Sequence, residues 1–375
     1  MLLAVREITR AKARFGLLAG AVGLLVFLIL FQQALLSGLV TSFIGAVENQ
    51  NSPVLAFSDQ ARKNVEASFL VPEQADAVSQ VDGVADTGLI GQNTYTVSAV
   101  DELADGVLFG YELGGLGEPT TLTEGRLPEG PNEGIASAAD ADAGFGMGDI
   151  VTIVGEDGPA IEIVGLGDDL RWSVAPTVFV SYETFEAAQR ATNPDAEAVL
   201  PSLVAAAPVE GLSPEALAER ITVEVGGVEA LTNQQAADEN PGVQGVNQSF
   251  QIILALAFLV VTLVVGFFFL ILTVQKAKPL TLLRAIGAPS GYLVRNLLAQ
   301  IVVVLVVGIA LGFVLLLIVR AVSPSGDVEI ALDGRSIAIT LAALAVLSFL
   351  GGLAAIRRVL RVDPLRATLA GGRQL

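Results

Sequence analysis

Few residues in this chain have types and spacings that could do covalent chemistry. No histidine and no cysteine occur among the 375 residues. That removes His-based triads, the common zinc sites, the usual proton shuttle near neutral pH and all thiolate or disulfide chemistry. Carboxylates remain. Asp140, Asp142 and Gly144 are spaced like the opening of an EF-hand calcium loop, but the third Asp or Asn is missing and Val151 stands where the bidentate Glu belongs. Asp168–Asp169, like Asp140 with Asp142, could form an acid–base pair. In a segment that carries 34 acids, such pairs arise by chance and read as solvated surface. There is no G-x-S-x-G and no H-E-x-x-H, and no G-x-x-x-x-G-K-[ST] to hold ATP. No catalytic residue, metal ligand or cofactor is assigned, and the lone Trp172 reads as core.

The residue pattern that points to a partner lies in 275–296. Pro279 can open a helix at its first position. Leu280, Leu283 and Ile286 then share one face. Gly287 suits the left-handed position that ends a helix, and Pro289 prevents continuation. A two-turn helix with an apolar stripe and Arg284 is suited to a groove in a partner protein; the alternative is a helix resting on lipid headgroups.

The elements that must position this segment are apolar. The chain is 53% hydrophobic and only 16% charged, where an average soluble domain is about 25% charged. Four windows lack any ionisable side chain: 15–47, 240–275, 296–319 and 336–356. Each holds the roughly 20 apolar residues a spanning helix needs. Transmembrane helices are therefore expected at 15–44, 250–274, 297–319 and 336–356. The first run is about twice the length of a signal-peptide core, and no A-x-A cleavage site follows it, so it reads as an uncleaved anchor. The segments 1–14, 275–296 and 357–375 together hold 13 of the 21 bases and 2 of the 39 acids. The positive-inside rule then places both termini and the 275–296 loop in the cytoplasm, with 45–249 and the short loop 320–335 outside. Residues 1–14 read as an amphipathic helix on the cytoplasmic surface, because Leu2, Val5 and Ile8 recur at helical spacing beside Arg6, Arg10 and Arg14.

Segment 45–249 is long enough to bury a core of its own. Strands are expected at Tyr95–Val100, Asp149–Val154, Ala160–Leu166, Thr177–Val180 and Ile221–Val225. Helices are expected after the caps Ser181 and Ser213, the latter with Pro214 at the first helical position, and from Pro72 to about Val81. Segments 188–210 and 233–248 read as connectors. The fold class is thus an α-helical membrane protein with four transmembrane helices and a mixed α+β extracytoplasmic domain between helices 1 and 2. The acidic surface argues against nucleic acid. Uncharged spans argue against an ion-coupled transporter, so energy would have to come from another subunit.

Leu283-Arg-Ala-Ile-Gly-Ala288 resembles the signature of the FtsX-like/MacB-like ABC transporter permeases. Arg361-Val-Asp-Pro-Leu-Arg-Ala367 resembles the family's ending. In the outer segment Glu124-Gly-Arg-Leu-Pro128, Pro131-Asn-Glu133, Gly146-Met-Gly-Asp149 and Val164-Gly165 are similar to the MacB-type periplasmic module. Where the family usually has Glu-Ile-Gly before Leu-Arg, this chain has Pro279-Leu-Thr-Leu282. The resemblance implies a bacterial plasma-membrane permease that works with a separate cytoplasmic ATPase and pairs with a second permease, as a homodimer or a heterodimer, among membrane lipids. It implies that Leu280, Leu283, Arg284, Ala285, Ile286, Gly287 and Ala288 couple to the ATPase. Two functions fit: export or extraction of an amphiphile (lipid, lipoprotein, haem or drug), or mechanical activation of an extracellular cell-wall hydrolase.

Overall fold

In a computed structural model of the chain, the described residues are 12–100, 102–195, 198–275, 290–322 and 334–360. Two compact units emerge among these residues: 38–248, and 12–37 with 249–275, 290–322 and 334–360, which carries the apolar helices.

Helix α1 (Lys12–Glu48) leads into β1 (Val54–Ser58), α2 (Pro72–Ser79), β2 (Val84–Ala99), β3 (Glu102–Tyr111), β4 (Leu122–Gly125), β5 (Glu133–Ser137), β6 (Ile150–Ile153), β7 (Ala160–Gly167) and β8 (Thr177–Ser181). Then follow α3 (Tyr182–Thr192), β9 (Leu203–Pro208), α4 (Pro214–Glu224), β10 (Val228–Thr232), α5 (Asn233–Asp238), α6 (Pro241–Gln275), α7 (Ser290–Val322) and α8 (Gly334–Leu360).

The strands form one mixed sheet in the order β10-β1-β9-β2-β3-β8-β5-β7-β4, with β6 closing between β2 and β7. The 16-residue β2 unites its two halves: Val84–Ile90 pairs with β9, Gly91–Ala99 with β3. Side chains alternate across the sheet as the two-residue period requires. Val54 and Ala56 face Val78, Leu217 and Ile221 of α2 and α4. Leu55 and Phe57 face the opposite way, into a core with Ala46, Val47, Phe109 and Trp172. A third cluster fills the β5–β8 half around Phe145, Ile161 and Phe185.

The helix starts follow their caps. Ser181 Oγ accepts from the Thr184 N–H at 3.2 Å and Ser213 Oγ from Ala216 at 3.3 Å. Thr232 and Gln235 cap each other across the first turn of α5. Three expectations are corrected. Ile221–Val225 is not a strand: Ile221 continues the buried face of α4, which runs to Glu224, and the strand begins after Gly226-Gly227 as β10. Segment 188–210 contains β9, whose Ala205–Ala207 run lies between β1 and β2, where packing overrides weak strand propensity. Segment 233–248 is helical, as α5 and the start of α6.

Among the described residues, four stretches of helix, 37, 28, 25 and 18 residues long, are long and apolar enough to cross a membrane. They bury Leu18, Val22, Ile29, Val261, Val265, Ile301, Leu305, Leu316 and Leu344 against one another. Exposed Leu24, Leu28, Leu256, Leu259, Phe267, Val306 and Val346 surround this core, as expected of helices that face hydrocarbon rather than water. The protein is a four-helix membrane protein with an α/β domain inserted after the first helix.

Candidate functional site

Within the helical unit glycines let helices pack backbone to backbone. Gly308 and Gly312 of α7 lie one turn apart. A methyl group on Gly308 would come 2.6 Å from Val22 Cγ1, and one on Gly312 2.8 Å from the Gly23 carbonyl oxygen. Gly23 meets the Gly308 carbonyl in return. This small-xxx-small seam lets two backbones touch where lipid supplies no hydrophobic drive. Contacts climb together, from Ala19 and Val22 on Gly308 to Gly23 and Val26 on Gly312, so α1 and α7 run in the same direction. Gly351 of α8 packs in the same manner on Thr262 of α6. Polar groups here bond to backbone: Thr262 Oγ1 donates to the Phe258 carbonyl at 2.8 Å and Gln32 Nε2 to that of Phe250 at 3.4 Å. From Phe15 to Val47 and throughout α6 no side chain is ionisable.

Within the outer unit, segment 168–176 grips the last turns of α1. The Ala46 N–H donates to the Arg171 carbonyl at 3.0 Å, and the carbonyls of Ser42 and Phe43 accept from Val174 at 2.9 Å and Ser173 at 3.1 Å. Gly45 permits this approach, since any Cβ there would overlap the Asp169 carbonyl. Asp169, Ser173 and Val174 all have positive φ, which for the β-branched Val174 is strained backbone, of a kind that costs about 1–3 kcal/mol per residue. Side chains hold the strain in place. Arg171 donates through Nε to Asp140 at 3.0 Å in a buried ion pair and through Nη2 to the Ala139 carbonyl. Burial pushes the Asp140 carboxyl up and the guanidinium pulls it back. Trp172, 2% exposed, stacks edge-on against Phe109, and its Nε1 donates to Glu66, as does Ser173 Oγ.

Of the carboxylates with possible chemistry, Asp140 is bound to Arg171, while Asp142 and Asp168 are exposed. Desolvation first, and the neighbouring Asp168 charge second, push the Asp169 carboxyl up. Among the described residues no group of three or more carboxylates is placed to hold a metal. The motif 124–133 has a structural role. Arg126 donates through Nη1 to Glu133 Oε2 at 2.8 Å and through Nη2 to Oε1, and the Glu129 N–H donates to Oε2 as well, which closes the turn between β4 and β5.

Leu280, Leu283, Arg284, Ala285, Ile286, Gly287 and Ala288 lie outside the described residues, as do 1–11, most of the loop 320–335 and the tail from 361. The described helices place this segment between the end of α6 at Gln275 and the start of α7 at Ser290. Sequence reading missed two features. The Gly308/Gly312 spacing was a legible signal for the α1–α7 seam; the 168–176 grip had none, because it is made by main chain.

Comparison with known proteins bears on the whole chain. Residues 251–364 match the family model of the FtsX-like permease C-terminal domain. A protein of Staphylococcus haemolyticus described, provisionally, as the hemin transport system permease HrtB is 22% identical over 98% of this chain and 99% of its own length. One from Staphylococcus epidermidis with the same description is 20% identical over 99% and 100%. Among solved structures, the extracellular domain of the ABC-type transporter YknZ from Gram-positive bacteria is 16% identical over 48% of this chain and 100% of its own, with a TM-score of 0.34. The periplasmic region of MacB from Actinobacillus actinomycetemcomitans is 12% identical over 50% and 90%, with a TM-score of 0.35. With residues 251–364 matched to that family model and relatives aligned end to end, the chain carries an FtsX-like permease C-terminal domain and is similar over its whole length to the permeases of ABC transporters.

Proposed function

We propose that this permease couples ATP hydrolysis by a separate cytoplasmic ATPase to export or extraction of an amphiphile through movement of its outer domain, as one half of a permease dimer. The observation that carries the reading is the pairing of spans without ionisable side chains with the absence of a P-loop. Without charge at membrane depth there is no ion path to supply energy, and without a P-loop ATP must be hydrolysed elsewhere. The segment Leu280–Ala288 is then the coupling element, both termini are cytoplasmic, and 45–249 is extracytoplasmic. Hemin is the leading candidate cargo, because the relatives that align over the full length are described as hemin permeases. Having no histidine or cysteine, this chain would hold hemin by apolar contact rather than through the commonest protein ligands to haem iron.

The test is co-purification of the ATPase with wild type and with Ile286→Asp, which would bury an unpaired carboxylate at the contact. Wild type should retain the ATPase, and hemin or another amphiphile should raise its ATP turnover. Ile286→Asp should reach the membrane yet lose the ATPase. Retention with unchanged turnover would remove the coupling assignment. Co-purification of a secreted cell-wall hydrolase, with no amphiphile response, would establish the mechanical transmitter instead.

A further inference from the structure

Beside the glycine seam, on the side of its lower-numbered residues, α1 and α7 leave an open groove of about 260 Å³ between them. Its walls are Phe15, Gly16 and Ala19 on α1 and Val303, Val304 and Val307 on α7, and among the described residues its only charged lining residue is Lys12. Gly16 forms an open floor, with no atom within 4 Å of where a Cβ would stand. Phe15, Ala19 and Val304 are buried and fix the walls, whereas Lys12 is exposed. The groove is therefore a narrow apolar trough with one cation at the end where the span begins.

We propose that this trough is a binding site for an anionic phospholipid, with one acyl chain along Gly16 and Ala19 and its phosphate at Lys12. Three observations converge. The apolar walls exclude a polar ligand, and the volume falls just short of the range for drug-sized molecules, so it suits a single extended chain. Among the described residues Lys12 has no ion-pair partner. A second copy of this chain could not supply one readily either: its apolar windows carry no carboxylate, and the segments 1–14, 275–296 and 357–375 that adjoin the spans in sequence together have 2 acids against 13 bases. Anions abundant beside a basic membrane boundary are lipid headgroups, and basic pockets between spanning helices bind them. The site is independent of what the complex moves.

Native mass spectrometry of the full chain in mild detergent tests the site, with phosphatidylglycerol and phosphatidylcholine of matched chains supplied in equal amounts. Wild type should bind phosphatidylglycerol about fivefold better, the effect of one lysine near a headgroup. Lys12→Gln should bring the two lipids level, Lys12→Arg should keep the preference, and Gly16→Leu, which fills the trough without a clash, should lower binding of both. Arg320→Gln, a charge removed at the far end of α7, should leave the preference intact. The proposal is overturned if wild type shows no preference, if the preference survives Lys12→Gln, or if Arg320→Gln removes it equally. It is also overturned if Gly16→Leu separates two copies of the chain while lipid binding stays unchanged, because the trough would then belong to a second copy.

Discussion

Single residues show how a motif becomes a shape. Arg126 and Glu133 stand seven positions apart, and the fork of one meets the carboxylate of the other across the β4–β5 turn. The guanidinium first, and the Glu129 N–H second, hold the Glu133 carboxyl down to about 2. An unfolded Glu titrates near about 4.3. The folded value is the lower one, so the pair's stabilisation is fully present above about 4.3 and is lost as pH falls through about 2. The melting temperature of wild type should therefore exceed that of Glu133→Gln at pH 6 by a small margin, as suits a solvent-screened pair, and the margin should shrink towards zero at pH 2.5. Equal margins at both pH values in thermal melts of the detergent-solubilised chain would show that this pair contributes nothing. At this scale the sequence was informative only where side chains do the work. The caps Ser181 and Ser213 and the buried Trp172 could be read directly. The Asp140–Arg171 pair could not, because nothing in a sequence tells that one of many acids will face one of few bases across 31 residues.

At the scale of elements, spacing decided what could be foreseen. The four apolar helices were legible from charge-free windows, since a bilayer imposes a length that composition reveals. β7 and β8 were legible as short β-branched runs flanked by turn residues. β9 was not, because its alanines carry no strand preference and only their place between β1 and β2 makes them one. The α1–α7 seam yields a prediction of its own. Gly308→Leu drives a side chain into Val22, and overpacking of this kind costs about 1–3 kcal/mol. The variant should melt below wild type in detergent, and Gly16→Leu, whose added atoms meet open space, should not. If the two variants melt alike, the seam is not a tight contact.

For the whole molecule, the directions of the helices bear on topology. Parallel α1 and α7 are what a chain must have if one crossing, α6, separates them: α1 one way, α6 back, α7 the first way again. That agrees with the charge distribution, in which 34 acids gather in 45–249 and 13 bases in the three short segments. Cysteines placed at Asp168 and Asp333 should then react with an impermeant thiol reagent in intact cells, while those at Lys278 and Arg373 should not. The chain has no cysteine of its own to confuse the readout. Labelling at Lys278→Cys from outside would invert the topology and with it the coupling role of Leu280–Ala288.

The grip of segment 168–176 on α1 is made by three main-chain bonds, from Ala46, Ser173 and Val174. Main-chain donors and acceptors are the same in every residue but proline. Most residues at these positions can drift over generations without loosening the joint, and pairs of positions across it have little reason to change in concert. On α1 only Gly45, which no larger residue can replace without pushing the joint apart, leaves a mark, and on the segment only the side chains of Arg171, Trp172 and Ser173 that brace its backbone do so. A joint of this kind is silent to comparison of sequences, and a search for it among relatives must look for the shape.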